Sequence, residues 1–147
     1  MSVEIPKRKL QHINVRIITA LALLELLYLL NRDFLRPSYK SNEIIVVFLG
    51  SLPNFLAALG ASMAIIPVGL KWLDNKMSRM VVYIFSMGCL GLLVQEEITP
   101  FAFGSCVNDV NDMIASSIGT VMGISLYELL RSCRLDRNHN HEVVKYE

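Results

Sequence analysis

Six polar side chains gather where apolar runs of this chain begin or end: Asn54, the pair Glu96 and Glu97, and the group Asp109, Asn111 and Asp112. Four of them are carboxylates, and no Lys or Arg occurs between positions 80 and 130. Crowded carboxylates with no basic neighbour repel one another or attract a cation. Hard oxygen donors of this kind suit a cation or a cationic headgroup. A plainer reading stands beside it: Asp109 caps a helix, Asp112 complements its dipole, and Glu96 and Glu97 are simply solvated. The Asp-x-Asn-Asp spacing is not that of a calcium loop. A seventh polar group, Glu25, lies inside an apolar run, where an ionisable side chain is costly and marks a functional position by default. It serves either as a working carboxylate or as a neutral, hydrogen-bonded or outward-reaching one.

Elements that could position these groups follow from composition. The chain has 147 residues, 53% of them hydrophobic and only 18% charged, and its mean hydropathy is +0.44. A soluble domain of this length needs more polar surface. Four runs are long enough for transmembrane helices, at about 15–31, 53–70, 79–96 and 110–131, given roughly 20 apolar residues per crossing. None shows the period-two alternation of a barrel strand. The predicted fold is therefore all-α, a four-transmembrane-helix bundle with short loops between antiparallel neighbours. Residues 1–14 form a basic arm and 132–147 a polar, mobile tail. Lys7, Arg8 and Lys9 precede the first run as in a signal peptide. Glu25 within the run, and Asn31-Arg32-Asp33 after it, make it an uncleaved span.

The second run, 44–70, carries no charge and is too long for one upright crossing, reaching about 40 Å at 1.5 Å per residue. Ser51-Leu52-Pro53 reads as a helix start, with Ser near the cap and Pro in the first turn. Residues 44–52 are then expected to be extended or interfacial, with Pro67 in the last turn of the helix. Lys and Arg sort strongly: eleven fall in the N-terminal arm, the 71–79 loop and the C-terminal tail, against three in the 32–40 loop. By the positive-inside rule both termini are cytoplasmic. The six polar groups of the outer ends then share one membrane face.

Ser116, Gly119 and Gly123 lie on one face of the last span, and Gly119 to Gly123 is a GxxxG that lets helices approach closely. The expected partner is the first or third span of the same chain, with homo-oligomerisation as the alternative. Glu128 and Arg131 are spaced to pair at i, i+3. His139 and His141 fall in the tail and carry no strong metal signal. Cys89, Cys106 and Cys133 are widely separated and read as free thiols. Trp72, Tyr83, Tyr28 and Tyr39 take aromatic-belt positions. No phosphate loop, Ser/His/Asp set or HExxH occurs, so no catalytic residue, metal or cofactor is assigned. A net charge of +1 gives no case for nucleic acid.

Two stretches carry a family resemblance. Leu52-Pro53-Asn54-Phe55-Leu56-Ala57-Ala58 resembles the L-P-D-F-L-W-A start of the second span in small VanZ-like membrane proteins. Glu96-Glu97-Ile98-Thr99, then Asn108-Asp109-Val110-Asn111-Asp112-Met113-Ile114-Ala115, then Gly119 and Gly123, is similar to that family's E-x-x-Q, F-D-x-x-D-x-x-A and G-x-x-x-G. Asn54 stands where the family has Asp, Asn108 where it has an aromatic residue and Thr99 where it has Gln; the Arg often found before F-D is missing. The resemblance spans about 52–127. It implies a bacterial envelope protein of a family named for glycopeptide resistance, most of whose members have no assigned activity. The expected partners are the lipid bilayer and, at the outer pocket, a lipid headgroup, a cell-wall precursor or a cation. Two further readings remain open: a small transporter or channel component using Glu25, and a membrane enzyme on lipid-linked substrates with an outer carboxylate as general base.

Overall fold

The computed structural model describes the backbone of residues 7–39, 42–71, 75–98 and 109–143. Among these residues the chain is helical, with no strand. The elements are α1 (Lys7–Leu30), a π-helical turn (Asn31–Leu35), the short α2 (Arg36–Ser38), α3 (Glu43–Ala64), α4 (Ile66–Lys71), α5 (Asn75–Ile98) and α6 (Val110–Val143). Four stretches are long and apolar enough to cross a membrane: Asn14–Ser38, Glu43–Leu70, Lys76–Ile98 and Val110–Cys133. In an apolar 18-residue window of each stretch, only 11 to 28% is buried inside the bundle. Such a large apolar exterior is untenable in water and suits acyl chains, so this is a multi-pass membrane protein.

α3 is the centre of the bundle. Its longest interface is with α6, and α1 and α5 also lean on it, without comparable packing on each other. The α3–α6 crossing is close because α6 presents glycine. A Cβ on Gly119 would collide with the Phe55 carbonyl and lie 3.1 Å from the Leu59 amide; one on Gly123 would collide with Ser62. The small-residue face, with Ser116 fully buried beside it, is thus spent on the second span, where the first or third was expected. Small residues announce a close crossing without naming the partner.

The core lies toward one end. Ile17, Met63, Ile66, Leu70, Val82 and Tyr127 form its buried cluster. Beside it the Ser78 hydroxyl donates to the Gly69 carbonyl and lies 2.6 Å from the Tyr127 hydroxyl. The end with this cluster is also the basic end, with Arg16, Arg79 and Arg131 on the helices that meet there. Toward the other end α1 and α5 stand apart.

Two expectations are corrected. Residues 44–52 are not extended: α3 begins at Glu43, where the Asn42 side chain accepts from the Ile45 amide at 3.3 Å, and runs straight through Pro53. Pro67 falls at the start of α4, beyond a one-residue interruption at Ile65; lacking an N–H, it has nothing to return to Met63. α6 continues into the polar tail, to Val143. At 1.5 Å per residue its 34 residues reach about 51 Å, well past a hydrocarbon core of roughly 30 Å. The side chains of His139 and His141, and residues Trp72, Thr99, Cys106 and Asn108, lie outside the described set. Cys89 and Cys133 are free thiols.

Candidate functional site

A helix that runs through Pro53 has a local problem. Proline offers no N–H, so the carbonyl of Leu49 loses its partner, and the ring pushes that turn open. In lipid a bare carbonyl costs about as much as a lost hydrogen bond, and no water is there to take its place. The chain supplies donors from the π-helical turn and α2, just beyond α1. The Asn31 side-chain amide donates to the Leu49 carbonyl at 2.9 Å, and Arg36 Nε donates to the same oxygen at 3.0 Å. A second Arg36 nitrogen donates to the Gly50 carbonyl. The π-helical turn explains how both reach: the Arg36 amide returns to the Asn31 carbonyl five residues back, so the two side chains lie on one face. Asn31 is fully buried. The sequence reading placed Asn31 at the very end of the first span and Arg36 in the outer loop, and gave neither a partner. The missed signal was the proline itself, because a proline inside an apolar span requires outside donors.

Pro53 also lines an open groove of about 590 Å³ between α1, α3 and α5. Its polar lining is Glu25 and Tyr28 from α1, Asn54 from α3 and Glu96 from α5, and the rest is apolar, chiefly Leu21, Leu24, Leu56 and Leu93. Glu25, expected to act apart from the outer cluster, therefore shares a cavity with two of its members. Glu25 is exposed to the groove rather than enclosed. No basic side chain lines this space.

Around the groove the other expected residues divide. Glu97 turns from it and accepts from the Asn54 amide at 3.0 Å, tying α5 to α3. Asp112, Asp109 and Glu96 are near enough to act on Glu97 electrostatically. Asp109 is the N-cap of α6: its carboxylate accepts from the Asn111 amide at 2.9 Å, and its carbonyl accepts from the amides of Asp112 and Met113. For Asp109 the plainer reading fits the geometry. Asn111 points to the exterior. Asp112 is half-buried, with one carboxylate oxygen enclosed and without a hydrogen-bond partner among the described residues. No group of three or more metal-binding side chains occurs among the described residues. The arrangement offers two carboxylates and an amide at the head of an apolar slot, which can hold an amphiphile by its polar end.

Comparison of the chain with protein-family models, with curated proteins and with solved structures found no match in any of the three.

Proposed function

We propose that this chain is a non-enzymatic, VanZ-like protein of a bacterial inner membrane, with both termini cytoplasmic, whose groove holds the amine-bearing head of a membrane amphiphile. The amphiphile is a lipid or a lipid-linked cell-wall precursor. The observation that carries this reading is the groove of about 590 Å³ in which Glu25, Asn54 and Glu96 meet apolar walls with no basic residue among them. Two carboxylates without a cation favour a positively charged head, and the leucines favour an acyl chain. The orientation rests on eleven of fourteen basic residues lying on one side. Family membership rests on the order of motifs from Pro53 to Gly123.

The test is lipid retention. Protein purified in nanodiscs that contain ethanolamine-headgroup and choline-headgroup lipids is examined by native mass spectrometry, beside Glu25→Gln, Glu96→Gln and the double variant. Wild type should retain the primary amine lipid in preference. Loss of each charged hydrogen bond should weaken that preference by roughly tenfold, the equivalent of 1.4 kcal/mol. Equal retention of both lipids by wild type, or no change in the double variant, refutes the groove as an amine site. In a bacterial host, the same double variant should alter sensitivity to envelope-directed antibiotics.

A further inference from the structure

The opposite end of the bundle carries a second polar cluster that the groove does not use. Glu128 on α6 accepts from Arg79 on α5 through two nitrogens, at 3.0 and 2.7 Å. It also accepts from the Tyr83 hydroxyl at 2.8 Å and from Arg131 at 3.3 Å. One carboxylate thus receives four donors, which is about its full capacity. Two guanidinium groups share it, so the cluster keeps one positive charge in excess.

The excess is not evenly solvated. The Arg131 side chain is only 13% exposed, and its Nε is enclosed with no acceptor among the described residues. A charged N–H shut away from water without an acceptor is costly. Arg79 is about half exposed, and Lys76, one turn before it, is exposed. Met80 and Ile84 on α5 and Leu129 on α6 are exposed apolar side chains nearby in sequence on the same two helices, and they would lie against acyl chains. An ion pair between two spans needs no surplus cation, no enclosed unpaired N–H and no third basic residue one turn away. An anion site uses the surplus cation and the neighbouring basic residue.

We propose that Lys76, Arg79 and Arg131 form a binding site for the phosphodiester of an anionic membrane lipid, with Glu128 and Tyr83 holding the guanidiniums in place. A phosphate oxygen can pair with the surplus positive charge that this cluster leaves at its exposed edge, where Arg79 and Lys76 lie, and basic pockets between spanning helices recognise such heads. The site is independent of the groove.

The full chain is reconstituted in nanodiscs with mixed phosphatidylglycerol and phosphatidylcholine, and retained lipid is read by native mass spectrometry. Wild type retains phosphatidylglycerol selectively. Lys76→Gln, a solvent-facing change that leaves the fold intact, lowers that selectivity about fivefold, as expected for one basic residue near an anionic surface. Arg131→Gln lowers it further, and Arg131→Lys restores part of it. Glu25→Gln and Glu96→Gln leave it unchanged, which separates this site from the groove. Inorganic phosphate at millimolar concentration fails to displace the lipid. Unchanged selectivity in Lys76→Gln and Arg131→Gln overturns the site, and displacement by inorganic phosphate overturns its assignment to lipid.

Discussion

Asn31 and Arg36 hold together a turn that Pro53 would otherwise leave open, and their effect is separable from ordinary packing. Removing one donor takes away one of the two hydrogen bonds to the Leu49 carbonyl, a loss of about 0.5–1.5 kcal/mol. Asn31→Leu and Arg36→Gln should therefore each lower the thermal midpoint in detergent. The diagnostic step is to add Pro53→Ala. Alanine returns an N–H to the Leu49 carbonyl, so the donor variants should lose much less in that background, giving a coupling of about 1 kcal/mol or more in a double-mutant cycle. Strictly additive losses would mean that the two side chains stabilise the bundle in some other way. The chain was readable at this scale only in part. Pro53 is conspicuous, and Ser51-Leu52-Pro53 fits a helix start by local rules. What overrides those rules is a tertiary contact from 22 and 17 positions upstream, which no local pattern encodes. Asp109 shows the reverse case: its cap is a local interaction, and the residue pattern alone offered it as one of two readings.

At the scale of helices, the four spans were legible because hydropathy is additive along the chain and lipid demands about 20 apolar residues at a time. Which helices touch was not legible. Gly119 and Gly123 signal a close approach, yet several helices could answer it, and the partner is α3. The eight glycines consequently differ in what substitution should do. Gly119→Ala sets a methyl against the Phe55 carbonyl, which is backbone and has little room to move, and Gly123→Ala sets one against Ser62. Each should lower stability in detergent by about 1–3 kcal/mol, the usual penalty for overpacking. Gly88 and Gly91, on α5, have open space where a Cβ would go. Alanine there should be neutral or should stabilise by up to about 1 kcal/mol through helix propensity. Thermal unfolding of the four variants in one detergent decides the matter. Equal effects at all four positions would mean that the α3–α6 crossing is looser than the structure indicates.

Across the whole molecule, stability and opening sit at opposite ends. The buried cluster of Ile17, Met63, Ile66, Leu70, Val82 and Tyr127 closes the basic end, aided by the Ser78 and Tyr127 hydroxyls and by Arg79 reaching Glu128. The acidic end holds α5 to α3 through the Asn54 to Glu97 bond and leaves α1 and α5 apart around the groove. The segregation of charge along the bundle was visible in the sequence, since Lys and Arg vanish between positions 80 and 130. The uneven packing was not, because apolar side chains facing lipid and facing protein look alike in a membrane span. Local opening free energies follow buried contacts, so this asymmetry has a measurable consequence. In detergent micelles, hydrogen exchange should be slowest for amides near Ile17, Ile66, Val82 and Tyr127. It should be faster by about tenfold or more near Tyr28 and Leu93, which border the groove although both lie inside apolar helices. Glu97→Gln should leave the first set unchanged, and Asn54→Ala, which removes the only described side-chain hydrogen bond between α3 and α5, should accelerate exchange around Leu93 alone. Uniform protection along α1 and α5 would show that the two helices close on each other. A groove able to admit a lipid head would then have to form only when its ligand arrives.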